Sequence, residues 1–473
     1  MLFQGFLCAK RTKQSEKKGM LRRSFVRGVK VIRRGAAHSA GKEKQLLSLA
    51  NRLRLGYAAD IVSEMVEQEE DRASVKTNYL DPNQLQAFVD ESRIASIDYK
   101  DPDLHPAVSV VVPIFDAEYT LDEALASIEV QSMADLEIVC VNDASLDGSA
   151  ALIEAHAAND NRYVVLTHER NSGYGASMND GIAASRGEWV AILEPDDYLL
   201  PDMYECLLNA PVRFGIDSDS LDLIKSPYVR EVRENDVARG DTPKELLNCS
   251  YRGRIKPASQ PFTLEDPGAS HLLRHHPSIW SALYRRSFLA RNQIRFHEYP
   301  GSGWADNEFF YDTLLRVRAV VYLDEPFYVY REETEDEACV FARNCKTLPF
   351  ERWQAMTDII ETLDIQDESI LLSHIAKGFT YLNDQISVWG EEDSQICEAR
   401  DAMFVRMNPE LVAKEGTIPP YLKAAYFASK GLGYRATWDK MRYYQAMLGE
   451  LVYTYRNNGK DYTFAQIKNV LGR

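Results

Sequence analysis

The 473-residue chain has no apolar run of the length a membrane span requires: stretches such as Val108–Val112 fall far short of the ~18 residues needed, so no transmembrane helix is expected. It has no C-x-x-C pair, and its seven cysteines are an odd count, which argues against a zinc site or a disulfide framework. Reduced thiols in a cytoplasmic protein are the simpler reading. The basic N-terminus is not followed by an apolar segment with a small-residue cleavage site, so a secretory leader is not expected. Internal repeats and low-complexity tracts are also missing. With 45% hydrophobic and 27% charged residues, the bulk of the chain is neither disordered nor collagen-like. At ~150 residues per domain, its length implies about three units.

The net charge of −16 hides an asymmetry. Residues 1–50 hold 13 Lys/Arg against two acids, a balance of +11, leaving 42 basic and 69 acidic side chains, or −27, on the remainder. So acidic a body does not attract nucleic acid nonspecifically, and no nucleic-acid partner is expected. Within the basic head, Leu21, Phe25, Val29 and Ile32 fall on one helical face, with Arg22, Arg23, Arg27, Lys30, Arg33 and Arg34 around the other. A helix of this kind over residues 20–34 suits an anionic membrane surface, although Gly28 and Gly35 weaken it, and an ordinary helix packed by its apolar face has the same pattern.

Residues 42–98 read as charged helix, and Asp101–Pro106 as a linker, since two prolines break any helix. From Ala107 strands and helices alternate. Val108–Val112, Leu136–Val141, Tyr163–Thr167 and Trp189–Leu193 read as strands. Between them lie a helix opened by the capping-box pattern Thr120–Glu123, a helix over Ala150–Ala157, and a helix over Ala176–Ser185 closed by Gly187. This order predicts a mostly parallel sheet covered by helices. After about residue 345 the pattern is helical throughout, over Trp353–Leu363, Ile370–Val388 and Tyr421–Asn457. The expected units are therefore 1–106, 107–345 and 346–473.

In an open parallel sheet, ligands bind beyond the carboxyl ends of the strands. Acidic groups follow three of them: Asp116, Asp143 and the cluster Glu194-Pro195-Asp196-Asp197. Three carboxylates in four residues repel one another unless a cation or proton intervenes, and hard oxygen ligands suit Mg²⁺ or Mn²⁺. In isolation such a cluster also reads as an acidic turn with Asp197 capping the next helix. Asn142–Ser145 likewise reads as a helix cap, or as a site where Asp143 accepts an N–H from a nucleobase edge. The glycines of Arg170–Gly175 permit close backbone approach to a ligand, but no Walker-type lysine follows.

Taken together, Val108–Phe115, Asn142–Ser145, Asn171–Gly187 and Trp189–Asp202 resemble the N-terminal half of a family 2 glycosyltransferase with a GT-A fold. His276–Ala282, Ile294–Phe296 and Gly301–Asp306 resemble a bacterial surface-polysaccharide subgroup of that family. The resemblance implies a GT-A-type α/β sheet, with N-terminal helices and a C-terminal helical region added. It implies that Pro113 and Phe115 flank the donor base, that Asp143 reads uracil or another base, and that Asn171, Gly173, Asn179 and Asp197 line the donor. Asp196 and Glu194 would hold Mg²⁺ or Mn²⁺, although Glu194 departs from the usual D-x-D-D pattern. Asp306 would be the catalytic base, a role compatible with capping the helix Asn307–Arg318.

The activity so implied is inverting transfer of a sugar from a nucleotide-sugar donor to a glycan or lipid-linked acceptor. A polyprenyl-phosphate sugar transferase, a nucleotidyltransferase and a non-catalytic sugar-nucleotide sensor are alternatives. Trp280 and Trp304 suit either sugar stacking or the core. His275 and His276 lack metal-ligand spacing and read as structural or acceptor-facing.

Overall fold

The computed structural model of the protein describes residues 91–232, 245–301, 304–332 and 345–472. The basic segment 20–34, and the expected helix as far as residue 90, lie outside them. The described residues fall into two compact units: 91–332 with 355–365, and 345–354 with 366–472.

In the first unit the order is β1 (Ile94–Tyr99), β2 (Val108–Ile114), α1 (Leu121–Glu129), β3 (Leu136–Asn142), α2 (Ser149–Ala157), β4 (Tyr163–His168), α3 (Tyr174–Ala184), β5 (Trp189–Ile192), β6 (Tyr198–Leu199) and α4 (Met203–Phe214). It continues through β7 (Leu223–Lys225), β8 (Tyr228–Val232), β9 (Glu245–Asn248), β10 (Ala282–Arg285), α5 (Arg286–Arg291), α6 (Ala305–Arg316), β11 (Val320–Tyr322) and β12 (Tyr328–Glu332).

An eight-stranded sheet runs β1-β4-β3-β2-β5-β10-β7-β11, and a second sheet runs β6-β12-β8-β9. The pairs β4/β3, β3/β2, β2/β5 and β7/β11 are parallel, while β1/β4 and both neighbours of β10 are antiparallel. Every residue of β2 and β3 is buried, Ser109 and Glu137 included, which bond each other, so both strands are covered on both faces.

Four local expectations change. Ile94–Tyr99 is a strand rather than the end of a helix: the free edge of β4 offers a hydrogen-bond ladder that outweighs local helical character. Thr120 precedes α1 without a side-chain cap, its hydroxyl donating to the Ala117 carbonyl, and Glu123 pairs with Arg331 instead of reaching back to the helix start. α3 ends at an extended Ser185 before Gly187. Gly187 serves close approach instead, its N–H donating to Ser109 Oγ at 2.8 Å, where a Cβ would stand 2.6 Å from the Ser109 nitrogen. Finally, the long C-terminal helix is broken, because Gly431 adopts a left-handed φ of 66°.

The helices from residue 345 onward are α7 (Leu348–Thr362), α8 (Glu368–Trp389), α9 (Ser394–Arg406), α10 (Pro409–Lys414), α11 (Pro420–Ser429) and α12 (Ala436–Gly472). Asp367, Asp393 and Asn408 cap α8, α9 and α10 by accepting backbone N–H groups. In the second unit Trp353 stacks on His374 at 4.6 Å, and a side chain at Gly378 would collide with the indole. None of the described helices is long and apolar enough to cross a membrane.

Candidate active site

The strand directions gather the acidic residues at one edge. β2, β3, β4 and β5 are parallel. β10 reverses, β7 reverses again, and β11 follows β7. The carboxyl ends of six strands and the start of β10 therefore share an edge, where an α/β sheet binds its ligands.

Asp143 is the first residue past β3 and is almost fully buried. Its Oδ1 accepts the Ser172 N–H at 2.8 Å and faces His168 Nδ1 at 2.7 Å, and its Oδ2 accepts the Gly173 N–H at 2.8 Å. A carboxylate oxygen offers two lone-pair sites, so Oδ2 keeps one open. Asn171 is exposed beside it, its Oδ1 accepting the Gly173 N–H at 3.1 Å. Gly173 has φ 89°, and a Cβ there would lie 2.8 Å from the Tyr299 carbonyl oxygen. Pro113 is buried within β2 opposite Val141, and Phe115 lies half-buried just beyond the strand.

The same loop reaches the acidic turn. The Tyr174 N–H donates to the Gly301 carbonyl at 3.0 Å, and its hydroxyl donates to Glu194 Oε1 at 2.6 Å. Burial pushes the Glu194 carboxyl up to about 8; the charges of Asp196 and Asp306 add to this, and the Tyr174 hydroxyl opposes it. Asp306 is thus electrically part of the cluster. It stands half-buried in the first turn of α6, behind Trp304 rather than at the cap itself, with Asn307 Nδ2 donating to its Oδ1 at 3.2 Å.

Asp196 is exposed to solvent yet ringed by protein, which raises its pKa; its own N–H and the Arg331 charge oppose the rise. Among the described residues its carboxylate is shown accepting only that N–H, and the residue is exposed. No group of three or more His, Cys, Asp or Glu among the described residues forms a metal cage. A Glu194–Asp196 pair nevertheless fits Mg²⁺ or Mn²⁺, which take one or two carboxylates and complete their shell with water and phosphate oxygens.

Two residues expected at the donor are otherwise engaged. Asp197 is fully buried and turned toward β12, accepting the Tyr328 hydroxyl at 2.7 Å and the Arg331 N–H at 2.8 Å. Asn179 spends its amide on the segment before Gly301: Nδ2 donates to Phe296 O and Glu298 Oε1, and Oδ1 accepts the Phe296 N–H. Both hold the walls of the crevice. Trp280 is also core, stacked on Tyr328 at 4.0 Å and on Tyr330 at 5.6 Å, and Trp304 is buried. His275 and His276 bond Ser250 Oγ and the Ser278 N–H.

The sequence patterns did not mark Tyr328 and Arg331. The Tyr328 oxygen accepts the Glu194 N–H at 3.2 Å, and Arg331 Nη1 donates to the Asp196 carbonyl at 2.9 Å, so β12 holds the acidic turn from behind. His168, Asp180 and Arg93 were also unmarked. Only the folded chain puts His168 beside Asp143, with Asp180 and Arg93 following behind it.

Residues 109–217 match the family model described as Glycosyl transferase family 2. The chain is 30% identical over 236 residues to "Putative glycosyltransferase EpsH" of Bacillus subtilis (strain 168), covering 48% of this chain and 61% of that protein. It is 28% identical over 197 residues to "Succinoglycan biosynthesis protein ExoO" of Rhizobium meliloti (strain 1021), covering 41% and 51%. The chain thus spans between half and two thirds of the length of these curated relatives. The crystal structure of S. aureus TarS 1-349 in complex with UDP-GlcNAc superposes with a TM-score of 0.51 at 18% identity, over 72% of this chain and 90% of that one. At that identity the likeness shows the fold, which is of GT-A type.

Proposed function

Taking residues 109–217 as a family 2 glycosyl transferase domain, we propose that this chain transfers a sugar from a nucleoside-diphosphate donor, a UDP-sugar, to a hydroxyl of a glycan or lipid-linked acceptor in cell-surface polysaccharide synthesis. The observation that carries the reading is the linkage at one sheet edge: Asp143 holds the Ser172–Gly173 amides, the next residue holds Glu194, and Glu194 feels Asp196 and Asp306. All of these residues fall within 107–345, which we take as the catalytic domain. ExoO, by its description, acts in succinoglycan biosynthesis, and a TarS structure holds UDP-GlcNAc; both support the substrate class.

In this reading the open lone pair of Asp143 Oδ2 accepts the N3–H of uracil, with Asn171 and Phe115 beside it. Asp306 takes the proton of the acceptor hydroxyl as that oxygen attacks the anomeric carbon. The new C–O bond forms as the bond to the diphosphate oxygen breaks, and the nucleoside diphosphate leaves with the electron pair from the opposite face. One displacement with no covalent intermediate inverts the anomeric centre. Glu194 and Asp196 would hold Mg²⁺ or Mn²⁺, whose Lewis acidity offsets charge on the departing diphosphate. The basic segment 20–34 would bring the protein to the cytoplasmic face of a membrane carrying the acceptor.

The test is a thermal-shift panel of nucleotide sugars with and without Mn²⁺, since a ligand bound only by the folded state raises its melting temperature. A UDP-sugar should stabilise the chain in the presence of metal, and Asp196→Ala should abolish that metal dependence. Absence of any stabilisation by nucleotide sugars would refute the reading.

A further inference from the structure

A line of hydrogen-bonded acidic and basic side chains runs through the interior from the edge strand to Asp143. Arg93, just before β1, is 6% exposed. Its Nε and Nη2 donate to Asp180 Oδ2 and Oδ1 at 2.5 and 2.7 Å, and its Nη1 and Nη2 donate to Glu298 at 2.8 and 3.1 Å. His168, at the end of β4, is fully buried between two carboxylates, with Nε2 3.0 Å from Asp180 Oδ2 and Nδ1 2.7 Å from Asp143 Oδ1.

An ionised carboxylate has no hydrogen to donate, so a ring facing one on each side makes both bonds only when both nitrogens carry protons. Burial opposes that charge, but the bonds to Asp143 and Asp180 outweigh it and hold the ring's pKa up at about 9. Arg93 fixes Asp180 in turn, so the imidazolium cannot shift toward it. What remains adjustable is the aim of Asp143, whose other contacts are the Ser172 and Gly173 amides.

We propose that His168, as the imidazolium bridging Asp143 and Asp180, is a positioning residue for donor recognition: it aims Asp143 Oδ2 and the Ser172–Gly173 turn at the base of the nucleotide. The inference rests on the nucleotide-sugar reading. His168 touches no substrate and acts through Asp143. Arg93 lies outside the segment that matches the family model.

A double-mutant cycle on UDP affinity, measured by calorimetry with the full chain at pH 7 and Mn²⁺, tests it. His168→Gln should weaken UDP about tenfold, within the usual coupling of residues in contact, while its melting temperature stays within a few degrees and kcat at saturating donor changes less than threefold. In an Asp143→Asn background the same substitution should cost nothing further. Equal UDP affinity of wild type and His168→Gln overturns the inference, as does a loss that is the same in both backgrounds. Should His168→Gln fail to fold, ¹⁵N spectra of the histidine-labelled wild type decide: both ring nitrogens of His168 should be protonated at pH 7, and one bare nitrogen overturns it. A wild type that binds no UDP refutes the donor reading itself, an outcome separate from these.

Discussion

The hydroxyl of Tyr174 lies 2.6 Å from Oε1 of Glu194, and so joins the loop that covers Asp143 to the turn that carries the acidic cluster. The residue before Tyr174 gives its N–H to Asp143, and the Tyr174 N–H meets Gly301, five residues before Asp306. Donor base, diphosphate and acceptor sides of the proposed site thus meet at one tyrosine.

Tyr174→Phe removes that bond without changing the size of the ring. A hydrogen bond is worth about 0.5–1.5 kcal/mol net, so the KM for the UDP-sugar should rise roughly two- to tenfold, with the melting temperature nearly unchanged. Steady-state kinetics with varied donor would show it, and an unchanged KM would separate the loop from the acidic turn.

Tyr328→Phe acts on the back of that turn. It leaves buried Asp197 and the Glu194 N–H each short of one partner. An unsatisfied buried group costs about 1–3 kcal/mol, so thermal unfolding should come several degrees lower, and donor affinity should fall with it. A variant as stable as wild type would mean that the second sheet does not brace the turn.

The pH dependence of stability should carry the mark of His168. Its folded pKa, about 9, lies above its ordinary 6.5, so its stabilisation is fully present below 6.5 and is lost as pH rises through 9. Lys225, whose buried ammonium is pushed down to about 7, works the other way as pH rises from 7 toward its ordinary value. The comparison that isolates His168 is therefore wild type against His168→Gln. Wild type should hold an advantage of a few degrees in melting temperature at pH 6.5 that shrinks by pH 9.5. A gap that widens with pH would contradict the bridging imidazolium.

What could be read from the sequence follows from how local each feature is. β2 to β5 announce themselves because a strand buried on both faces must be a run of apolar, mostly β-branched residues. Asp143, Glu194, Asp196 and Asp306 can be singled out in the sequence because residues just past a strand or at the head of a helix lie at the ligand-binding edge of such a sheet. Ile94–Tyr99 was missed because its pairing with β4 is a tertiary event that its residues do not encode. The partners of Asn179 and Asp197 are not legible in the sequence, because it does not say which way a side chain turns: one bonds Phe296, the other Tyr328. The pairing of Arg93 with Asp180 spans 87 residues and leaves no motif.

Asp306→Asn tests the central claim most directly, in paired measurements of UDP affinity and of sugar transfer to extracted acceptor. The substitution keeps the shape of the side chain and removes its basicity. Affinity should stay within about twofold, while turnover falls by about 10²–10⁴, the usual contribution of a positioned general base. Turnover that persists would show that Asp306 is not the base, and loss of UDP binding together with turnover would show that it serves the donor instead.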